Sequence, residues 1–254
     1  KQAKKKYKVK SIMFQDEIFT LDAQWLDVFA GIFKKEINLP YACYVHPDTI
    51  NDKTVSLLRD SGCVSVNIGI ESIDDSVRRN LLYRSIEQRQ ILNTLGLLNR
   101  NHIHCRAYFI IGLPGQNESD LINLARFCNE NRLFAPMIFW LHYFPRTKIA
   151  ELYDKKPGKI NRKCKKYGYG LEGDVFDNVL SKIKFLIILT SFLSKRNVEY
   201  IIQRKIYSIF PAHQHYFFSR LVVLIRKICN LFVGKKLRNY TPKIAYMPIG
   251  RKYR

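Results

Sequence analysis

Carboxylates, hydroxyls and glycines stand where the predicted strands of this 254-residue chain end. Glu71 directly follows the β-branched run Val64–Ile70, and Ser72 comes next. A carboxylate at a strand end can accept hydrogen bonds from both hydroxyls of a ribose. The alternative is that Glu71 only supports a helix start, beside a capping box formed by Ser72 and Asp75. The spacing by itself slightly favours this structural role.

A second candidate is the glycine turn within Tyr108–Ser119, which reads YFIIGLPGQNES. An apolar strand breaks there into Gly112-Leu-Pro-Gly115. Glycines let a backbone approach a flat ligand without interference from a Cβ atom. An ordinary turn between a strand and a helix has the same composition, and a single G-x-x-G is weak support for a ligand site.

Two further polar groups follow other predicted strands. Asp16 and Glu17 could bind an ammonium group, or they could complement the positive end of a helix. His46, in VHPD, is an acid/base candidate or simply a turn residue before Pro47. The sequence contains no serine-hydrolase order, phosphate-binding loop or metal-ligand spacing, so none of these residues identifies a reaction by itself.

Strands and helices that alternate along residues 7–144 must position these groups. Repeated strand-helix units predict an α/β fold with a parallel sheet, and its ligands lie at the C-terminal strand ends. The predicted strands are Tyr7–Phe14, Pro40–Val45, Val64–Ile70, His104–Ile111 and Pro136–Phe144. The predicted helices are Asp22–Ile37, Asn51–Gly62, one opened by Ser72–Asp75, Glu87–Arg100 and Glu118–Asn131. The first helix carries an apolar stripe of Trp25, Val28, Phe29, Ile32 and Phe33.

Charge separates the two halves of the chain. Residues 1–150 contain 20 Lys and Arg against 15 Asp and Glu, which gives +5, whereas residues 151–254 contain 23 against 6, which gives +17. We therefore predict two units, 1–150 and a basic helical region 151–254 with helices near Val175–Lys195, Val198–Ile209 and Tyr216–Val233. The basic half fits an anionic partner or a solvated basic face.

The six cysteines are scattered, which argues against a zinc site and against a secreted disulfide framework. The N-terminal KQAKKKYKVK has no apolar segment of a signal peptide, and the longest apolar run, Phe185–Leu193, is too short to span a membrane. These features predict a cytoplasmic protein without a transmembrane segment.

Taken in order, four segments resemble the radical S-adenosylmethionine (SAM) superfamily: FQDEIFTLDAQW, LLRDSGCVSVNIGIES, YFIIGLPG and FPRT. The resemblance covers about residues 7–150 and is strongest between Ser61 and Glu71. It points to the cobalamin-binding-domain subgroup and to methylthiotransferase-like relatives. It implies a partial (β/α)6 TIM-like barrel comprising strands two to six, followed by the basic helical region.

The resemblance also implies roles for individual residues. Gln15, Asp16 and Glu17 would hold the SAM amino group, Glu71 and Ser72 the ribose, and Arg106 the SAM carboxylate. The adenine would pack on a run of backbone and aliphatic atoms, namely Ile111, Gly112, Leu113, Pro114 and Gly115. Tyr143–Thr147 matches the family's Pro-x-Gly-Thr strand end, with Arg146 in place of the glycine.

The family's C-x-x-x-C-x-x-C motif, which holds a [4Fe-4S] cluster, is missing. We expect a fragment whose cluster cysteines lie upstream of Lys1; a degenerate family member is the alternative. The parent protein would then form a 5′-deoxyadenosyl radical from SAM, with an electron donor such as flavodoxin or ferredoxin. With an upstream cobalamin domain, it would methylate a small-molecule substrate, anionic or lipid-like in character.

Two other functions stay open at this point. The basic half could bind or help to modify RNA, although its aromatic residues lie at the spacing of a helix core. The barrel could also be non-catalytic and bind SAM or nothing. In either case we expect this chain alone to be inactive and to hold no metal.

Overall fold

The computed structural model of the protein describes residues 2–7, 9–133, 136–143, 146–149, 151, 171–172 and 178–210. Five parallel strands form one sheet in the order β1-β2-β3-β4-β5, curled into a half-barrel. The strands are β1 (Ile12–Met13), β2 (Tyr41–Val45), β3 (Cys63–Glu71), β4 (His104–Ile111) and β5 (Met137–Trp140). This arrangement confirms the predicted α/β fold class and the partial barrel.

Seven helices accompany the strands in the described part of the chain. They are α1 (Gln2–Tyr7), α2 (Ala23–Glu36), α3 (Asp52–Ser61), α4 (Gln88–Arg100), α5 (Glu118–Glu130), α6 (Asn178–Leu189) and α7 (Lys195–Gln203). Shorter turns of helix lie at Pro47–Thr49, Val77–Leu81, Thr190–Phe192 and Ile206–Ile209. The Asn51 side chain caps α3 by accepting a hydrogen bond from the backbone N–H of Thr54 at 2.9 Å.

The first and last predicted strands are wrong in length. Gln2–Tyr7 is helical, because Gln, Ala and Lys favour a helix, and Lys4 Nζ donates to the Ile37 carbonyl at 2.6 Å. Only Ile12–Met13 remains as β1. At the other end, β5 stops at Trp140, and His142–Tyr143 pairs antiparallel with Leu171–Glu172 in a separate two-stranded sheet.

The sheet has two different faces. On the face toward the helices, alternate residues of β4 are buried, and Phe109 contacts Phe127 of α5 edge to face. On the inner, concave face the other residues of β4, among them Arg106 and Tyr108, are only half buried. Register places Tyr44, Asn67 and Arg106 in one row across β2, β3 and β4, with Gly69, Tyr108 and Met137 in the next row.

The apolar stripe of α2 is divided between core and surface. Leu26, Ala30 and Phe33 are buried, and Phe29 contacts an aromatic cluster around Tyr41. Trp25, Val28 and Ile32 are instead 46%, 63% and 59% exposed. Of the five residues of the predicted stripe, Phe29 and Phe33 pack into the core and the other three are exposed, because the apolar arc of this helix is wider than its contact with the sheet.

Helices α6 and α7 pack on α5 and extend the same hydrophobic core, to which they contribute Ile183, Leu186, Ile187, Val198 and Ile202. Two polar links hold them. Arg126 on α5 pairs with Glu199 through two hydrogen bonds of 2.8 and 3.0 Å, and Tyr207 donates to Glu118. The third predicted helix, Tyr216–Val233, lies outside the described residues. Within the described ranges, no helix is both long and apolar enough to cross a membrane.

Candidate functional site

Glu71 ends β3 in a conformation that L residues rarely adopt. Its φ is +66°, and the backbone N–H of Ser72 donates to the Ile70 carbonyl at 2.8 Å, so Glu71 is the central residue of a tight three-residue turn. The register with β4 also shifts between Gly69 and Glu71. Strain of this kind persists only where the surroundings enforce it, and it concentrates at functional sites.

The Glu71 carboxylate folds back over Gly69 on the inner face. A Cβ atom on Gly69 would lie 2.6 Å from Glu71 Oε1, so the space that this carboxylate occupies exists because residue 69 has no side chain. Gly69 is in register with Tyr108. The carboxylate therefore lies in the row of Tyr108.

Arg84 is the charged partner of the Glu71 carboxylate. Its Nη1 donates to Glu71 Oε1 at 3.0 Å and to the Gly69 carbonyl at 3.2 Å. Burial raises the pKa of Glu71 above its ordinary value, and the Arg84 guanidinium partly offsets this rise. The side chain of Glu71 stays 23% exposed, so a ligand can reach it.

The loop after β3 is held by a buried arginine rather than by the predicted capping box. Arg78 is fully buried, and it donates to the carbonyls of Ser72 and Ile86 at 2.5 and 3.0 Å and pairs with Asp75. Asp74, not Asp75, accepts the hydrogen bonds that begin the helical turn. The expected box of Ser72 and Asp75 is wrong because Arg78 competes for Asp75.

The turn after β4 has the backbone that the glycines predict. Gly112 and Gly115 have φ values of +78° and +84°. A Cβ atom on Gly112 would lie 2.8 Å from Trp140 Cε3, so the indole packs directly on this backbone. Gln116 Oε1 accepts hydrogen bonds from the backbone N–H groups of Gly112 at 2.7 Å and Leu113 at 3.4 Å, which stabilises the turn.

The two turns face each other across a cleft of about 470 Å³, a size typical of a small-molecule site. Five of the predicted residues line this cleft: Glu71, Ser72, Leu113, Pro114 and Gly115. The remaining lining residues are apolar (Ile73, Val77, Ile110 and Leu124) or polar (Asp74, Gln116, Asn117, Asp120 and Asn123). A carboxylate opposite an apolar, glycine-containing turn suits a ligand with hydroxyls at one end and a flat ring at the other.

The other predicted site residues lie elsewhere. Gln15, Asp16 and Glu17 follow β1 and are exposed, and α2 begins only at Ala23, so the alternative that these acids complement the start of α2 is wrong. Arg106 lies on the inner face, four residues before the cleft residue Ile110. Ile111 is fully buried and does not line the cleft.

His46 has the turn role that the sequence allowed. It precedes the short helical turn Pro47–Thr49, and its Nδ1 accepts a hydrogen bond from the backbone N–H of Asp48 at 3.3 Å. Burial lowers the pKa of His46 below its ordinary value, although the Asp48 carboxylate acts in the opposite direction. A neutral imidazole that accepts this hydrogen bond supports the backbone of the β2 end.

The described cysteines do not fit an iron–sulfur cluster. Cys43, Cys63, Cys105 and Cys128 are all buried, and burial raises the pKa of Cys105 to about 12, whereas cluster ligands are thiolates. Among the residues that the structure describes, no three His, Cys, Asp or Glu side chains are grouped to hold a metal ion. Cys164 and Cys229 lie outside those residues.

Sequence reasoning missed four residues that shape the site: Gly69, Arg78, Arg84 and Gln116. Each of them shapes the site through another residue that it contacts. Arg84, for example, bonds to Glu71, which lies 13 positions earlier in the chain. For Gly69, an isolated glycine inside a predicted strand was an available signal of a bulge or a close approach.

Comparison with known protein families supports a single assignment. A family model described as the Radical SAM superfamily matches residues 1–128. The chain is 23% identical over 146 residues to an uncharacterized methyltransferase of Pyrococcus horikoshii, covering 57% of this chain and 32% of that protein. It is 29% identical over 123 residues to the ribosomal protein uS12 methylthiotransferase RimO of Pelobacter propionicus, covering 47% and 27%. The chain thus spans between about a quarter and a third of the length of these relatives.

Two solved structures share the fold. The radical SAM methyltransferase TsrM of Kitasatospora setae, with cobalamin and a [4Fe-4S] cluster bound, superposes with a TM-score of 0.51 at 15% identity over 58% of this chain and 31% of that one. Coproporphyrinogen III oxidase (HemN) of Escherichia coli gives 0.50 at 15% identity, over 77% and 40%. At these identities the likeness is one of fold alone.

Proposed function

Because the chain belongs to the radical SAM superfamily, we propose that it binds SAM in the cleft between the β3 and β4 turns. The observation that carries this proposal is Glu71, whose carboxylate is held in a strained turn over Gly69 and which lines a cleft together with Leu113, Pro114 and Gly115. SAM has the matching parts, a ribose diol and a flat adenine ring. When bound, SAM supplies the sulfonium carbon–sulfur bond that this superfamily breaks.

Each cleft residue has a defined task in the proposed complex. Glu71 accepts hydrogen bonds from the ribose hydroxyls, and Arg84 keeps that carboxylate ionised and oriented. The backbone of Gly112–Gly115 and the side chain of Leu113 pack against the adenine and exclude water from it. Ser72, whose carbonyl Arg78 holds, stands beside Glu71 for a further contact to the ribose.

The position of the SAM methionine is a further part of the proposal. Gln15, Asp16 and Glu17 lie at the same edge of the sheet as the cleft, since all follow the C-terminal ends of parallel strands. We assign the ammonium group to them, because acids attract a cation. The resemblance places the SAM carboxylate at Arg106, but this residue lies on the inner face, where we assign it to the substrate.

For the parent protein we propose a group-transfer reaction. Superfamily membership supports an enzyme, and the two relatives named above are a methyltransferase and a methylthiotransferase, which favours transfer of a methyl or methylthio group, with cobalamin as a further candidate cofactor. No step through a cluster follows from this chain, because its described cysteines do not fit one. We propose that cysteines of another part of the parent protein hold it.

The test uses S-adenosylhomocysteine, a stable analogue, in calorimetric titrations of the 254-residue chain. Glu71→Gln keeps the shape of the side chain but removes the charge, and we expect it to weaken binding about tenfold, the loss of a charge-assisted hydrogen bond. Glu87→Gln is the matched control, since Glu87 lies at the start of α4 and outside the cleft. Equal affinity of the Glu71 variant and the unchanged chain would contradict the ribose assignment.

A second measurement addresses the cluster. Anaerobic reconstitution of the chain with iron and sulfide should give no stoichiometric four-iron species, because the described thiols are all buried and burial raises the pKa of Cys105 to about 12. A four-iron absorption and Mössbauer signature on this chain would overturn the view that the cluster ligands lie elsewhere.

A further inference from the structure

The inner face of the half-barrel carries an aromatic and cationic surface below the proposed SAM cleft. The rings of Tyr108 on β4 and Phe139 on β5 are parallel within 4°, with centroids 5.9 Å apart. Phe139 is 46% exposed, so a face of its ring is open for stacking. Tyr44 on β2 extends the surface, with its ring centroid 6.3 Å from that of Tyr108.

A network of hydrogen bonds fixes the Tyr108 ring. Its hydroxyl donates to Asn67 Oδ1 at 3.2 Å, and the Asn67 amide reaches toward the Cys43 carbonyl at 3.5 Å. Burial and the neighbouring Tyr44 raise the pKa of Tyr108 to about 12, while Arg106 acts in the opposite direction. The hydroxyl therefore stays protonated at neutral pH, and the ring stays in one orientation.

Arg106 gives this surface a positive charge. It lies in register with Asn67 and interacts with the Tyr108 hydroxyl, and it forms no ion pair with a carboxylate of the described chain. The nearby Glu71 is already paired with Arg84. A half-buried cation beside the half-buried Tyr108 ring, which in turn stacks with the exposed Phe139, recognises an anion attached to a flat, apolar group.

We infer that the Phe139–Tyr108 rings and Arg106 bind the reaction's substrate, and that this substrate is a small planar aromatic carboxylate. The inference rests on the proposed function, since it treats the inner face as the substrate side of the SAM site. Gly69 links this inner-face surface to the proposed SAM site, because it is in register with Tyr108 and the Glu71 carboxylate lies over it. A ligand stacked on Phe139 with its carboxylate at Arg106 would therefore lie next to the bound SAM.

A small planar aromatic acid fits this surface better than a flexible lipid. Parallel rings provide flat contact area and little depth, which favours a rigid ring over an alkyl chain that must be ordered on binding. A single cation favours one carboxylate over the repeated phosphates of a nucleic acid, whose affinity is built from many such contacts.

The probe is 2-naphthoate, titrated by calorimetry into the 254-residue chain. Phe139→Leu keeps apolar volume but removes the ring, and we expect a loss of about fivefold in affinity, the size of a stacking contribution. Arg106→Gln keeps the length but removes the charge, and we expect a loss of at least about tenfold. Trp25→Leu is the matched control, because Trp25 is also 46% exposed but lies on α2.

Two further probes separate charge from shape. 2-Naphthalenemethanol lacks the anion and cyclohexanecarboxylate lacks the planar ring, and both should bind at least about fivefold more weakly than 2-naphthoate. The inference is overturned if Phe139→Leu and Arg106→Gln bind 2-naphthoate like the unchanged chain, or if Trp25→Leu weakens it equally.

The same preparations are titrated with S-adenosylhomocysteine to keep the two proposals apart. Absence of S-adenosylhomocysteine binding, with the expected 2-naphthoate pattern, contradicts the proposed function and leaves the aromatic-acid site in place. Binding of S-adenosylhomocysteine without the 2-naphthoate pattern contradicts the present inference alone.

Discussion

Gly69 and Glu71 determine each other's geometry at the end of β3. The glycine provides the space, the carboxylate fills it, and Arg84 bonds to both the Glu71 side chain and the Gly69 carbonyl. A methyl group at position 69 would meet the mobile end of a side chain, not backbone. The carboxylate can move away from such a group, but only by leaving Arg84.

We therefore expect Gly69→Ala to weaken S-adenosylhomocysteine binding about tenfold while it changes the free energy of unfolding by less than about 1 kcal/mol. Calorimetric titration and urea unfolding measure the two effects. Gly31→Ala serves as the control, because a Cβ there meets nothing within 4 Å, and alanine should stabilise α2 by about 0.5–1 kcal/mol. Unchanged affinity in Gly69→Ala would show that the position of the carboxylate does not matter for the ligand.

The raised pKa of Glu71 predicts a pH dependence of binding. A carboxylate accepts ribose hydroxyls only when ionised, and burial makes Glu71 take up a proton at a higher pH than an ordinary glutamate. Affinity for S-adenosylhomocysteine should therefore fall as the pH is lowered, with a midpoint above the ordinary pKa of a glutamate. Glu71→Gln should remove this pH dependence. If the variant keeps the full pH profile, the group that titrates is not Glu71.

At the scale of residues, the sequence located the two turns but not their support. Glu71 and the turn Gly112–Gly115 were predictable because each directly follows an apolar run, and Glu71 and Gly115 line the cleft. Arg78 and Arg84 were not, because a charged residue in a loop gives no sequence signal of burial or of its partner. The exposed Phe139 belongs to a predicted strand, but its openness depends on which elements cover the inner face.

Among the elements, α2 shows the limit of periodicity most clearly. Leu26 and Val28 both belong to its apolar arc, yet Leu26 is fully buried and Val28 is 63% exposed. Spacing assigns residues to an arc of a helix, whereas the width of the contact depends on the neighbouring elements. Helices α2 to α5 and strands β2 to β4 were predicted to within about one residue at each end, and the ends of α3 carry the signals Asn51 and Gly62. The predicted helix Val198–Ile209, in contrast, corresponds to a helix at Lys195–Gln203.

This difference in burial predicts that two alanine substitutions in α2 have unequal effects on the free energy of unfolding. Leu26→Ala should lower the free energy of unfolding by about 2–5 kcal/mol, because it leaves a cavity in the core. Val28→Ala should change it by no more than about 0.5 kcal/mol. Urea unfolding followed by circular dichroism measures both; similar losses would mean that the exposed face of α2 is covered in solution.

Across the whole molecule, one core joins the sheet to the basic half. The expected boundary at residue 150 remains a prediction, but α6 and α7 share apolar contacts with α5 on the near side of it. Most of the excess positive charge falls outside the described residues, so RNA binding also remains a prediction. The charge of a chain can be counted from its sequence, whereas the distribution of that charge over a surface requires the fold.

A shared core predicts cooperative unfolding. Ile187→Ala on α6, a fully buried position, should destabilise the entire described fold by about 2–5 kcal/mol. With Trp140 replaced by Phe, Trp25 fluorescence reports on α2, which is packed against the opposite end of the sheet from α6. A shift of the Trp25 midpoint that matches the shift seen by circular dichroism is expected; an unchanged Trp25 midpoint would establish two independent units.

The docking of α7 on α5 has a consequence for biosynthesis. Arg126 can pair with Glu199 only after a further 73 residues have been synthesised, and Glu118 can bond to Tyr207 only after a further 89. At translation rates of about 5–20 residues per second, the outer face of α5 stays uncovered on the ribosome for about 4–15 s. During that interval the nascent chain exposes the apolar face of α5 before its covering helices exist. A chaperone that recognises exposed apolar segments would bind α5 in this period.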